Sequence, residues 1–134
     1  MIYILDASAL IAYLNGETGS DVVEGLLETP GNTCFAHALN LCEVYYDAYR
    51  RSGEAVAERV IADLAADGVI ERGDLDPAFW REVGKLKSRV GRISLADACG
   101  IALAQRNAAE FVSSDHHELD RIASTSICPI LFIR

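Results

Sequence analysis

The sequence predicts an α/β protein, a three-layer sandwich with a central parallel β-sheet flanked by helices. Three observations carry that expectation. Apolar runs of strand length alternate with stretches of helical periodicity along the whole chain, the pattern of strands joined by crossover helices. The first run, Ile2–Leu5, is apolar without polar alternation, as a strand buried on both faces must be. Acids then follow the runs: Asp6 stands directly after the first, and Asp115 after a later one, where open parallel sheets gather ligands. A chain of 134 residues that is 51% hydrophobic fits one compact domain over residues 1–134 with a substantial core.

The elements follow in order. Behind Asp6, residues 9–14 begin a helix that Asp6 or Ser8 would cap. Asn15-Gly16 breaks it, and Thr18-Gly19-Ser20-Asp21 supplies cap residues for a helix over Ser20–Glu28. Thr29-Pro30-Gly31-Asn32 is a turn, and residues 33–36 form a second strand. One long helix runs from His37 or Ala38 to about Arg51, with Leu41, Val44, Tyr45 and Ala48 at helical spacing. Ser52-Gly53 interrupts it, and the next helix, residues 54–66, turns Val56, Val60, Ile61 and Leu64 inward. Asp67-Gly68 leads into a short strand over residues 69–72. Leu75-Asp76-Pro77 opens a further helix, since proline fits the first helical position. A helix over residues 94–105, a strand over 110–114, a short helix over 116–123 and a last strand over 129–133 at a sheet edge complete the chain.

Composition narrows the classes. No apolar run reaches the roughly 18 residues of a membrane span, and the N-terminus lacks the pattern of a secretory signal, so the expected location is cytoplasmic. Cys34, Cys42, Cys99 and Cys128 are scattered without metal-type spacing and are expected to be small buried apolar residues. A net charge of −8 argues against gripping nucleic acid by overall charge. The basic residues are nevertheless grouped: Arg81, Lys85, Lys87, Arg89 and Arg92 stand against the single acid Glu82 in that stretch.

Four acids are candidates for chemistry. They are Asp6, Glu43 in the long helix, Asp97 in Ser94-Leu95-Ala96-Asp97, and Asp115. Each has an ordinary local explanation. Ser94-x-x-Asp97 and Asp115-x-x-Glu118 read as capping pairs, and Glu43 as an exposed helix residue with Asp47 and Arg50 on roughly its face. Their shared placement is what local roles leave unexplained, because a parallel sheet would bring all four toward one edge. Crowded carboxylates raise one another's pKa unless a cation neutralises them. Oxygen-only donors suit Mg²⁺ or Mn²⁺, which would activate water for attack on a phosphodiester.

The order Asp6-x-Ser8, Asn40-x-x-Glu43, Ser94-x-x-Asp97-Ala98 and Ser113-Ser114-Asp115-His116-His117 resembles the PIN domain family, and within it the VapC-type ribonuclease toxins of prokaryotic toxin–antitoxin pairs. The resemblance spans nearly the whole chain. It implies a PIN-like fold and a Mg²⁺- or Mn²⁺-dependent endoribonuclease whose catalytic and metal-holding carboxylates correspond to Asp6, Glu43, Asp97 and Asp115. It also implies an RNA substrate, homodimerisation and inhibition by a small VapB-like antitoxin. Ser8 is expected to support Asp6 by hydrogen bonding.

One departure from the family is Ala36-His37-Ala38, where members often carry Ser or Thr near the start of the Glu-bearing helix; a surface position is expected for His37 ahead of capping that helix or approaching the site. His116 and His117 are not expected as ligands beside hard oxygens, and Asp120 is expected to be structural. Arg81, Lys85, Arg89 and Arg92 form a stripe opposite the apolar face of Phe79, Val83, Leu86 and Val90, either a solvated face or an RNA-binding phosphate rail. Tyr45, Tyr46 and Tyr49 point to core packing or a subunit interface before base stacking. Two other readings remain. One is a catalytically silent fold kept for binding a partner. The other is a receiver-like Mg²⁺-binding regulatory domain, which calls for adjacent acids after the first strand and a late lysine, whereas the only lysines are Lys85 and Lys87.

Overall fold

A computed structural model describes all 134 residues. In chain order the elements are β1 (Ile2–Leu5), α1 (Ala7–Asn15), α2 (Ser20–Glu28), β2 (Thr33–His37), α3 (Ala38–Ser52), α4 (Glu54–Ala66), β3 (Val69–Arg72), α5 (Pro77–Val90), α6 (Leu95–Arg106), β4 (Glu110–Ser113), α7 (His116–Ala123) and β5 (Ile130–Phe132). The strands form one sheet in the order β3-β2-β1-β4-β5, every pair parallel. The expected parallel sandwich is therefore present, with β5 at an edge.

Strand periodicity explains the layers. In β1, Ile4 faces one core and Leu5 the other; in β4, Phe111 and Val112 divide the same way. The first core is closed by α5, α6 and α7 through Phe79, Leu86, Ile101 and Leu119. The second is closed by α1 to α4 through Leu10, Val23, Val44 and Leu64. Each sheet face thus has its own helical cover.

The chain moves outward from β1 to β2 and β3, then returns to place β4 on the other side of β1. That reversal opens a crevice between the carboxyl ends of β1 and β4, where Leu5 lies opposite Val112. Asp6 and Asp115 follow these two neighbouring strands.

The α6 helix is buried from Ala96 to Ala104 and is built from small residues, which lets it lie close to the sheet. Gly100 shows how close: a Cβ there would stand 2.4 Å from Phe111 Cε1 and 3.2 Å from Asn40 Nδ2.

Two expectations change, those for His37 and Cys42. His37 is not a surface residue but fully buried; its Nδ1 accepts from Leu39 N at 3.1 Å, capping α3, and its ring stacks on Phe79. β2 extends one residue past the expected strand, through His37, and the ring is buried against Phe79 of α5. Cys42 is exposed, whereas Cys34, Cys99 and Cys128 are buried as expected. Of the two roles expected for the tyrosine cluster, exposure of Tyr46 and Tyr49 excludes core packing for these two and is compatible with a subunit interface. Of the residues expected to cap the second helix, Gly19 is the N-cap, with φ of 96° and no side-chain capping bond. Gly19 is needed on two counts: that φ disfavours side chains, and a Cβ would meet Ile133 O at 2.6 Å. No helix is long and apolar enough to cross a membrane.

Candidate active site

Asp6 caps a helix and also lines an acidic pocket. As N-cap of α1 its Oδ1 accepts from Ala9 N at 2.8 Å, a bond of the kind worth about 1 kcal/mol to a helix. The same oxygen accepts from Ser8 Oγ at 2.7 Å, and Oδ2 accepts from Ser113 Oγ at 2.5 Å. A carboxylate has roughly four lone-pair sites, so the protein's donors hold Asp6 rigidly and still leave it able to bind in the pocket it lines.

Asp97 is placed by half of a capping box. Ser94 Oγ accepts from Asp97 N at 3.1 Å, but Ser94 N donates to Glu118 Oε2 at 3.3 Å instead of to the Asp97 carboxylate. Glu118 thus takes over the reciprocal bond, and the Asp97 side chain is free to face the pocket. Asp115 caps α7, its Oδ1 accepting from Glu118 N at 3.2 Å, while Asp115 N donates to Ser113 Oγ at 3.0 Å. Glu43 lies exposed at the rim on α3. One turn before it, buried Asn40 accepts from Ala7 N at 3.2 Å and donates to Ala96 O at 3.3 Å. That one amide locks the starts of α1 and α6 to α3.

Asp6, Glu43, Asp97 and Asp115 therefore line one open pocket of about 240 Å³, together with Ser8 and Glu118. Glu118 was legible only as half of a local capping pair; nothing in the sequence aims its carboxylate at Ser94. Ser113 was legible only as part of a strand end. One oxygen each from Asp97, Asp115 and Glu118 lie within 4.8 Å of one another.

Charge is uncompensated here. No lysine or arginine lines the pocket, although Asp6 is 2% and Asp97 7% exposed. Burial drives the Asp6 pKa up to about 6, against the pull of hydrogen bonds from Ser113, Ser8 and Ala9, and the charge of Asp115 adds to the rise. Asp97 is pushed well above the ordinary carboxylate range, first by burial and then by the charge of Asp6, with Glu118 and Glu43 contributing. Glu43 is raised by desolvation and then by Glu118. The donor set is all oxygen, negative and without a protein counter-ion, which fits a hard divalent cation.

The predicted basic residues stand apart. Arg81, Lys85, Arg89 and Arg92 are exposed, and none of them lines the carboxylate pocket. The Arg81 guanidinium lies 4.6 Å over the Trp80 ring and Lys85 pairs with Glu82 at 3.3 Å. Arg92 lines a second hollow beside the acidic one. His116 is held by Asp120 at 2.7 Å and by the carbonyl of Arg134, and stacks on Phe132.

Comparison with known proteins points to one family. The family model described as PIN domain matches residues 3–124. The VapC ribonuclease Mb2780c of Mycobacterium bovis is 28% identical over 109 residues, covering 76% of this chain and 82% of that protein. Ribonuclease VapC42 of Mycobacterium tuberculosis matches to the same extent, 28% over 109 residues. Among solved structures, a chain of VapBC2 from Rickettsia felis, bound to a DNA fragment from its promoter, superposes with a TM-score of 0.74 at 16% identity, covering 98% of both chains. Mycobacterium tuberculosis VapC20, a sarcin-ricin loop cleaving toxin, superposes with a TM-score of 0.71 at 14% identity over 95% of this chain and 99% of that one.

Proposed function

The chain belongs to the PIN domain family, and from that premise we propose that it is a divalent-metal-dependent endoribonuclease that hydrolyses RNA phosphodiester bonds as the toxin of a type II toxin–antitoxin pair. The observation that carries the reading is the convergence of five carboxylates on one pocket that contains no basic side chain. Left alone, such a cluster must stay partly protonated; a cation relieves it.

Asp97, Asp115 and Glu118, whose oxygens approach one another most closely, together with Asp6, would hold Mg²⁺ or Mn²⁺, and Glu43 at the rim would orient the attacking water. When bound, the cation supplies positive charge to offset that developing on the phosphodiester and lowers the pKa of a water at the site. The protein's own contribution is rigidity. Ser8, Ser113 and Ala9 N fix both oxygens of Asp6, so little reorganisation accompanies the reaction.

A VapB-like antitoxin as partner, homodimerisation through a single nuclease domain and a cytoplasmic location follow from the same family reading. Named relatives support it: the Mycobacterium proteins are ribonucleases, and structures of the same fold include the toxin–antitoxin complex from Klebsiella pneumoniae. The test is RNA cleavage with added Mg²⁺ or Mn²⁺, wild type beside Asp6→Asn and Asp97→Asn. Cleavage by the wild type and its loss, by at least about a hundredfold, in both variants is expected on removal of metal-holding charge. A folded wild type that cuts no RNA with either ion, or variants that cut as well, would refute the reading.

A further inference from the structure

Beside the carboxylate pocket lies a larger open hollow of about 630 Å³, lined by Val90, Gly91, Arg92, His117, Glu118 and Arg121. The two hollows share Glu118, and Ser94, two residues past Arg92, lines the acidic one. The charge changes sign across that shared wall.

Arg121 is held but not neutralised, and neither Arg92 nor His117 has an ion-pair partner. The Arg121 guanidinium donates to the carbonyls of Val90 at 3.3 Å and Arg92 at 2.8 Å. Carbonyl acceptors fix its orientation and leave its full charge, with two of its five N–H donors used. The ion pairs of the chain lie elsewhere, on Arg50, Arg51, Arg72, Lys85, Arg106, His116 and Arg134. Glu118, the one acid of the hollow, turns its carboxylate to Ser94 N. His117 sits one turn before Arg121 on the same face of α7. Gly91, at φ 83° and ψ −100°, makes the turn that brings the Val90 and Arg92 carbonyls to Arg121, a conformation closed to side-chain-bearing residues.

We propose that Arg92, His117 and Arg121 form a phosphate-binding site for the RNA backbone, flanking the phosphodiester held at the carboxylates. The site rests on the nuclease reading above and deepens it. A nucleic acid strand is favoured over an acidic protein segment because the hollow adjoins, across Glu118, the pocket where the phosphodiester would be held. These are positioning residues: they hold the strand and touch no reacting atom. On α5, by contrast, Lys85 is already paired and Arg81 stacked.

The experiment measures binding of a fluorescein-labelled single-stranded oligoribonucleotide to the Asp6→Asn protein, with and without Arg92→Gln, His117→Gln and the two together. Arg121 is left in place because it also holds the 90–92 turn. Arg92→Gln is expected to weaken binding about tenfold, and the log–log salt slope to fall by about 0.7 for each phosphate the variant no longer neutralises. With Asp6 intact, KM for cleavage should rise while kcat stays within about threefold, and Mn²⁺ binding measured by calorimetry should not change. Unchanged RNA affinity and salt slope, with Mn²⁺ binding and cleavage intact, overturns the phosphate site and leaves the nuclease reading standing. A wild type that neither binds Mn²⁺ nor cuts RNA overturns both. Displacement of the RNA by poly-L-glutamate at matched charge would reassign the hollow to a protein carboxylate and overturn the proposal.

Discussion

The Ser113 hydroxyl donates to Asp6 Oδ2 at 2.5 Å across 107 positions of sequence, and the hydroxyl oxygen itself accepts from Asp115 N at 3.0 Å. One hydroxyl therefore positions two carboxylates of the pocket. It can do so because β1 and β4 are adjacent and end level with each other, Leu5 opposite Val112.

Ser113→Ala should accordingly destabilise the fold by about 1–3 kcal/mol, since it leaves a partly buried amide unsatisfied. The hydrogen bond it removes was lowering the Asp6 pKa, so the acid limb of the pH–rate profile should move to higher pH. Urea denaturation and cleavage rates against pH check the two halves separately. An unmoved acid limb would argue that Asp6 does not need to ionise.

Metal-free protein should lose stability as pH rises. Asp6 has its folded pKa raised from 3.8 to about 6. The folded state therefore holds the proton more tightly than the unfolded one between those values. Its stabilising contribution is complete below about pH 4 and is lost as pH rises through about 6, amounting to about 3 kcal/mol for this group. Asp97, shifted in the same direction, extends the decline to higher pH. Thermal melts from about pH 5 to 8 should show the decline without metal, a smaller one with Mn²⁺, and a flatter curve for Asp6→Asn, whose amide oxygen can keep the α1 cap.

Glu118→Gln tests the acid that local sequence did not single out. The amide oxygen can still accept from Ser94 N, so the melting temperature should move little. Mn²⁺ affinity should fall about 10–100-fold as one negative donor is removed. Calorimetric titration decides this, and full affinity in the variant would remove Glu118 from the cation site.

His37→Ala should act on stability instead of chemistry. It removes the α3 cap, the hydrogen bond of Nε2 with the Asp74 carbonyl at 2.9 Å and the stack on Phe79. A loss of about 3 kcal/mol is expected from cavity and unsatisfied backbone groups together. At a temperature where the variant remains folded, kcat should match the wild type; a large kcat defect there would place His37 in the reaction.

Local pattern was enough for the elements. The apolar run at Ile2–Leu5, the Pro77 helix start and the Ser94 cap are each encoded within a few residues, and the structure forms them at those positions. The alternation of strand and helix was likewise enough for a parallel sheet, because right-handed crossovers leave few other solutions. Four acids could be placed at one sheet edge on that basis, since a strand end and a helix start are positions a sequence specifies.

Burial and side-chain direction were decided by the tertiary structure. His37 looked like a surface residue because nothing nearby in sequence announces that β2 carries it under α5 and against Phe79. Glu118 looked like a cap partner of Asp115, yet its carboxylate reaches Ser94, 24 residues back, and so releases Asp97 into the pocket. The pKa shifts belong to the same level, because desolvation depends on what covers a group and not on its sequence neighbours. Sequence determined where the acids stand along the chain; only packing decided which lost their water and which faced one another.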